Sequence, residues 1–490
     1  RTLILFSFVV LSAPAILTAC LSTSEVARPS PVDVADASSG ADTDADTGPE
    51  AARDAGGEQG VERGPEADAE PEAPGERTDP TDQALNEESG EAGPLAADQA
   101  VRTAIAGMSD AELVGQLLVV NISQAGRASD IPSESHPELE RVMRDLQPGG
   151  FILFADDIRN KKQLRDVLRR AHGAGSIPPL TVIDHEGGPV YRFFHDEDSP
   201  VTRLPSALRV GRTEDTDLAF RLARAAGQEL RGIGIDMSIA PVADLALRGE
   251  QEVTRVRSYG SDPSLVSAMV LAVMSGLQEA GIIPVVKHFP GHGDTETDTH
   301  VGAAVLAASR EDLLARDLVP FVAAIDAGVP VIMPGHLGVP GFSSSEQPAT
   351  FNSEILIGLL REELGFDGVI LSDSLSMLAV RRHYRDDQAA LMAVSAGNDL
   401  LLDLPDAERA RDALLAALDD GRLSRSALET SVARILHLKI RAGLIKPALS
   451  TAANPFVARD PHTGTHTHGA RPSDVAELAR EVFLLYNTRP

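Results

Sequence analysis

The densest chemistry in this sequence lies in one stretch, KHFPGHGDTETDTH, where three histidines and three acids fall between Lys287 and His300. Pro290, Gly291 and Gly293 work against a helix there, so the stretch reads as a loop whose backbone can fold close around a ligand. One chemistry open to it is metal binding, with His288, His292, His300 and Asp294 as zinc ligands. The sequence has no HExxH and no HxH on its first strand, and a barrel metallohydrolase gathers ligands from several strand ends, so neither a metal nor a cofactor is expected. Further polar residues follow other apolar runs: Asn121, Asp184 with Glu186, Asp244, Lys287 with His288, His336, Asp373 and Asp403. Any one of these alone reads as a turn or helix cap, which is the expectation for Asn121 and Asp403, but their recurrence at the same end of successive runs points to a shared site.

The elements that position them follow from the pattern of apolar residues. Beyond Asp98 short apolar runs alternate with amphipathic stretches, as in a repeating strand and helix unit. Eight runs are predicted strands: 117–123, 149–155, 180–186, 237–244, 283–289, 330–337, 368–374 and 398–404. Between them lie helical segments such as KKQLRDVLRRAHGAG and PSLVSAMVLAVMSGLQEAG, most ending in Gly as a helix C-terminus should. Buried parallel strands each followed by a helix predict an α/β fold, a (β/α)8 TIM barrel, over residues 98–446. A doubly wound open sheet is the alternative, and the polar strand ends favour the barrel, whose enzymes carry their chemistry on that rim. Two further helices, 405–419 and 423–441, complete the domain. Residues 447–490 read as a linker containing His462, His466 and His468, then a helix running into a strand, the opening of a second domain cut short.

Composition divides the rest. Residues 21–97 consist almost wholly of Ala, Glu, Asp, Gly, Pro, Ser and Thr, which cannot bury enough apolar surface to offset the entropy of ordering, so the barrel is expected to follow a disordered acidic linker. Much of the chain's net charge of −29 sits there, and no basic stripe exists to neutralise phosphates, so nucleic acid is excluded as a partner. Residues 1–20 have one basic residue, a long apolar run interrupted by Pro14, and Leu17, Thr18 and Ala19 before Cys20. This resembles a bacterial lipoprotein signal, with Cys20 as the lipidated residue and new N-terminus. Anchoring by two acyl chains would hold the protein in the cell envelope, on a membrane facing the periplasm or exterior. Nothing in the sequence specifies an oligomeric state.

Four motifs, KHFPGHGDTETDTH, DHEGGPVYRF (184–193), RSYGSDP (257–263) and FDGVILSDSLSM (366–377), together resemble the catalytic domain of glycoside hydrolase family 3, in its β-N-acetylhexosaminidase branch, over residues 108–446. The resemblance implies a retaining mechanism with Asp373 as nucleophile, and proton transfer by His300 paired with Asp298. An imidazole with an ordinary pKa near 6.5 suits that task, and a neighbouring carboxylate fixes its tautomer and stabilises its charged form. It further implies sugar recognition by Asp184, Arg192, Arg257, Lys287 and His288. The sequence departs from the family pattern at Pro189, commonly Arg or Lys, and at Ser374, commonly a second Asp. Trp is absent, which favours a small pocket over a long groove, with Tyr191 and Phe289 as candidate rings for sugar stacking.

The expected function is removal of terminal β-linked N-acetylglucosamine from glycans such as cell-wall fragments, through a glycosyl-aspartate intermediate. The alternatives are another family 3 specificity such as β-glucosidase, an N-acetylglucosaminide phosphorylase, since a neutral base repels an anionic acceptor less than a carboxylate does, and a glycan-binding lipoprotein without catalysis.

Overall fold

The computed structural model describes residues 94–122, 137–193, 199, 201–247, 252–295, 304–447, 456–458 and 472–488. Cys20 with its signal segment, the tether up to residue 93, and Asp298 and His300 lie outside the described residues.

All eight predicted strands are present: β1 (Leu118–Asn121), β2 (Gly150–Leu153), β3 (Leu180–Ile183), β4 (Met237–Ser238), β5 (Ile283–Phe289), β6 (Val331–Pro334), β7 (Val369–Ile370) and β8 (Leu401–Leu402). They form one curled parallel sheet in the order β8-β1-β2-β3-β4-β5-β6-β7, with β8 paired to β1. Past the end of β7, Leu371 forms a parallel bridge with Leu400, and Ser372 N donates to Leu400 O at 2.9 Å.

The run predicted as a strand over 237–244 is cut to two residues. Pro241, joined to Ala240 by a cis peptide, has no N–H for a ladder. The segment nevertheless stays against β5, because Val285 N and Lys287 N donate to the carbonyls of Ala240 and Pro241 at 2.9 and 3.3 Å.

Both faces of the sheet are covered, which is why the strands read as continuous apolar runs. One face sends Val119, Ile152, Val182, Val285, Val331 and Leu402 into a single cluster closed at one end by Leu438 and Leu444. The other face, including Val120, Phe151, Ile183, Val286 and Ile332, packs under the helices. Those helices start where the sequence supplies caps: Asn160, Asp215, Asp262 and Ser424 each accept a bond from a backbone N–H in the first turn. A helix over Pro94–Gly107 begins four residues ahead of the predicted domain boundary at 98.

At the other end, Ile445–Pro447 pairs antiparallel with Phe456–Ala458. The last described segment is one helix, Pro472–Thr488, in place of a helix running into a strand. Val475 and Val482 on that helix are fully buried, and its Glu481 faces Arg221 at 3.5 Å on the helix Thr216–Gly232. An unbroken apolar spacing through Val482 and Leu485 carries the helix over the residues read as a strand.

Lys439, on the helix Arg425–Arg441, is fully buried, and its ammonium donates to Gln116 Oε1 at 2.8 Å. Burial lowers its pKa to about 7 from an ordinary 10.5, with Asp236 opposing. Between those values the unfolded chain binds the proton and the folded chain does not, so this lysine makes stability rise with pH through that window and lowers it below. Lys439→Met should therefore raise the midpoint of thermal unfolding near neutral pH, and the gain should shrink steadily toward about pH 10.

Candidate active site

Parallel strands bring all their C-terminal ends to one edge of the sheet, and the polar residues predicted to follow them meet there. At its centre is a linked set of charges. Lys287, at the end of β5 and with its side chain 3% exposed, donates to Asp184 Oδ1 at 2.9 Å and approaches Glu186 Oε1 at 2.5 Å. Arg257 grips Glu186 with two bonds, Nε to Oε2 at 2.7 Å and Nη2 to Oε1 at 2.8 Å. Arg192 donates to Asp184 Oδ2 at 3.1 Å and lies over the Phe154 ring. Arg257 Nη2 also lies 3.4 Å from His288 Nε2. All five predicted sugar-contact residues, Asp184, Arg192, Arg257, Lys287 and His288, thus belong to one connected cluster. Glu186 joins them, although its sequence position gave it no role.

The charges are fixed by one another. Burial alone would push the carboxyl of Glu186 up, but Arg257 and Lys287 outweigh it and hold it far below the usual carboxylate range. Burial likewise opposes Asp184, which Lys287 and Arg192 hold down against the charge of Glu186. For Lys287, burial pulls the ammonium down and the two carboxylates more than restore it. Each group is therefore charged at neutral pH, presenting strong donors and acceptors to a polyhydroxylated ligand.

Asp244 organises the loop after β5. Its Oδ1 accepts from the N–H groups of His288 and His292 at 3.1 and 2.8 Å, and its Oδ2 faces His288 Nδ1 at 2.7 Å. The loop runs so close to its neighbours that a Cβ on Gly293 would lie 1.6 Å from the carbonyl oxygen of Leu245, and Gly291 has φ of 124°, so both positions require glycine. The groups weighed as zinc ligands have other partners: His288 on Asp244, His292 Nδ1 beside Thr295 Oγ1 at 2.7 Å, and Asp294 on Arg316 at 2.9 Å. Among the described residues no three metal-binding side chains converge. Asp298 and His300, expected from the resemblance as the proton-transfer pair, lie outside the described residues.

Asp373, predicted as the nucleophile, leaves the end of β7 half-buried. Its Oδ1 accepts from the N–H of the next residue, Ser374, at 2.8 Å, and no further hydrogen bond to the carboxylate is found among the described residues. Burial raises this carboxyl, but His336, His288, the Ser374 N–H and Lys287 together hold it below the ordinary range. It is an ionised carboxylate with one oxygen open, set in the field of the cluster above.

Two expectations fail. Tyr191 and Phe289 cannot offer faces to a sugar. Phe289 is fully buried edge-on to Phe321. Tyr191 is buried against His185 and Phe193 and donates from its hydroxyl to Val201 O at 2.6 Å. The sequence reveals that a ring is present but not which way the chain turns it. Asp403, read as a cap, instead accepts from Asn121 Nδ2 at 3.0 Å. The cap of the next helix is Asp406.

The comparisons with known proteins agree with one another. Residues 110–438 match a family model described as the glycosyl hydrolase family 3 N-terminal domain. A protein of Nitrosomonas eutropha named beta-hexosaminidase is 37% identical over 317 residues, covering 63% of this chain and 87% of its own. One of Pseudoalteromonas piscicida named beta-hexosaminidase A is 29% identical over 388 residues, covering 71% of this chain. This chain spans 64% of the length of that relative. Among solved structures, a family 3 β-N-acetylglucosaminidase from Paenibacillus sp. superposes with a TM-score of 0.67 at 32% identity, over 77% of this chain and 69% of its own.

Proposed function

This chain belongs to glycosyl hydrolase family 3, and from that membership we infer that it is a retaining exo-β-N-acetylhexosaminidase, removing terminal N-acetylglucosamine from glycans such as cell-wall fragments. The observation that carries this reading is Asp373: an ionised carboxylate with one open oxygen, at the same sheet edge as the Asp184, Glu186, Lys287 and Arg257 cluster. The relatives named as hexosaminidases support the choice of sugar. The bridge between Leu371 and Leu400 and the single apolar cluster inside the curl support closure of the sheet into a (β/α)8 barrel.

In the first step the open oxygen of Asp373 attacks the anomeric carbon, the glycosidic bond breaks, and the leaving oxygen takes a proton from His300. In the second, water gives its proton to His300 and its oxygen displaces Asp373, restoring the enzyme with the anomeric configuration retained. Asp298 holds the imidazole in the tautomer this requires. Asp184, Arg192, Arg257, Lys287 and His288 bind the sugar hydroxyls. Cys20 carries the lipid that holds the protein at a bacterial envelope membrane, and the acidic segment is the tether.

The test is turnover of p-nitrophenyl N-acetyl-β-glucosaminide against the corresponding glucoside, each with and without inorganic phosphate. Hydrolysis of the first substrate, independent of phosphate, is expected. Preference for the glucoside contradicts the sugar assigned, and a rate requiring phosphate contradicts water as acceptor.

A further inference from the structure

Ser374 follows Asp373 directly, and each of its polar groups is engaged. Its N–H donates to Asp373 Oδ1 at 2.8 Å, its hydroxyl donates to Asp403 Oδ2 at 2.7 Å, and its carbonyl lies 2.9 Å from His336 Nε2. A carbonyl can only accept, so His336 Nε2 carries the proton. The imidazole is itself held, with Nδ1 3.0 Å from Thr350 Oγ1 and its ring stacked near Phe351.

Asp403 is an unusual residue to find at the end of β8. It is 2% exposed and adopts φ of 57°, a left-handed backbone that glycine would supply without steric cost. Its carboxylate accepts from Ser374 Oγ, from Ser376 Oγ at 2.5 Å and from Asn121 Nδ2 at 3.0 Å, all neutral donors. A left-handed aspartate with a buried carboxylate is doubly unfavourable, and such positions persist where the surroundings over-determine them, often near functional atoms. Two of its three bonds go to the turn that follows Asp373.

We propose that Asp403 and His336 are positioning residues for Asp373: reaching over from the strands on either side of β7, they immobilise Ser374, whose peptide N–H then fixes the carboxylate so that Oδ2 faces the sugar. Neither residue touches the reacting atoms. The proposal rests on the reading of Asp373 as nucleophile. It also accounts for the serine at 374, which delivers the hydroxyl that the neighbouring strand's carboxylate holds.

The experiment compares kcat, KM and thermal midpoint for the full chain and the variants Asp403→Gly, Asp403→Asn, Ser374→Ala, the double variant Asp403→Gly with Ser374→Ala, and Asp373→Ala. Asp403→Gly keeps the left-handed turn and removes the carboxylate. It should lower kcat roughly tenfold to a hundredfold, the range for a displaced reacting group, with KM little changed. Ser374→Ala should do the same, and the double variant should be no worse than either alone, since both break one linkage. Asp403→Asn, which tolerates the backbone and keeps an acceptor for the serines, should restore most of the turnover that Asp403→Gly loses. Wild-type kcat in a folded Asp403→Gly or in Ser374→Ala overturns the proposal, as does full additivity in the double variant. Retained turnover in Asp373→Ala overturns the underlying reading instead, so the two failures are told apart.

Discussion

Asp373→Ala should retain the fold of the native protein and lose essentially all turnover, a fall in kcat of at least about a thousandfold, as expected for deletion of a covalent nucleophile. Among the described residues the carboxylate makes one hydrogen bond, to the N–H of its own neighbour, so its removal strands no distant donor among them. It is also an anion held below its ordinary pKa beside His336, His288 and Lys287, so removing it relieves burial of a charge at the cost of those attractions. Stability should change little while the chemical step disappears. The check pairs a thermal melt with single-turnover kinetics on a chromogenic N-acetylglucosaminide.

Lys287→Met should have the largest effect on stability. The ammonium lies between Asp184 Oδ1 at 2.9 Å and Glu186 Oε1 at 2.5 Å, and its own side chain is almost fully buried. Methionine fills the space but leaves two carboxylates sharing only Arg192 and Arg257, and breaking a buried ion pair in this way costs about 3–5 kcal/mol. The deficit has a pH signature. In the native protein both carboxyls are held below the ordinary range, so their contribution to stability is full above about pH 4 and is lost as pH falls through their folded values. In the variant their folded pKa values rise, so they take up protons sooner on acidification. The gap between variant and wild type should be widest at neutral pH and narrow toward about pH 4, as urea titrations at several pH values will reveal.

The positions of the strands were legible because each is buried on both faces and reads as an apolar run, and Asp184, Glu186, Lys287 and His288 were legible because each closes such a run, whereas Arg192 and Arg257 came only from the family motifs. What the chain could not reveal is how residues remote in sequence pair across strand ends. Lys287 lies between Asp184 and Glu186 only because β3, β4 and β5 are adjacent in the sheet. Asp403 meets Ser374 only because the chain after β7 is bridged to the chain before β8 at Leu371 and Leu400, and in isolation it looked like a helix cap. Tyr191 and Phe289 were misread for the related reason that an aromatic beside a site is as apt to pack the wall as to line the opening, and the direction of a side chain is set by tertiary contacts. Pro241 marked where the ladder of β4 would stop, whereas Pro284, one residue into β5, did not stop its own strand.

The central claim is that Asp373 forms the bond to the sugar, and it is tested most directly by trapping that bond. A fluorinated N-acetylglucosaminyl fluoride forms the intermediate faster than water can remove it, because the good leaving group speeds the first step while the ring fluorine slows both. Peptide mapping by mass spectrometry after incubation should find the sugar esterified to the peptide that contains Asp373. Labelling of another carboxylate such as Glu186, or turnover of the reagent by a protein that never acquires the label, would contradict the account.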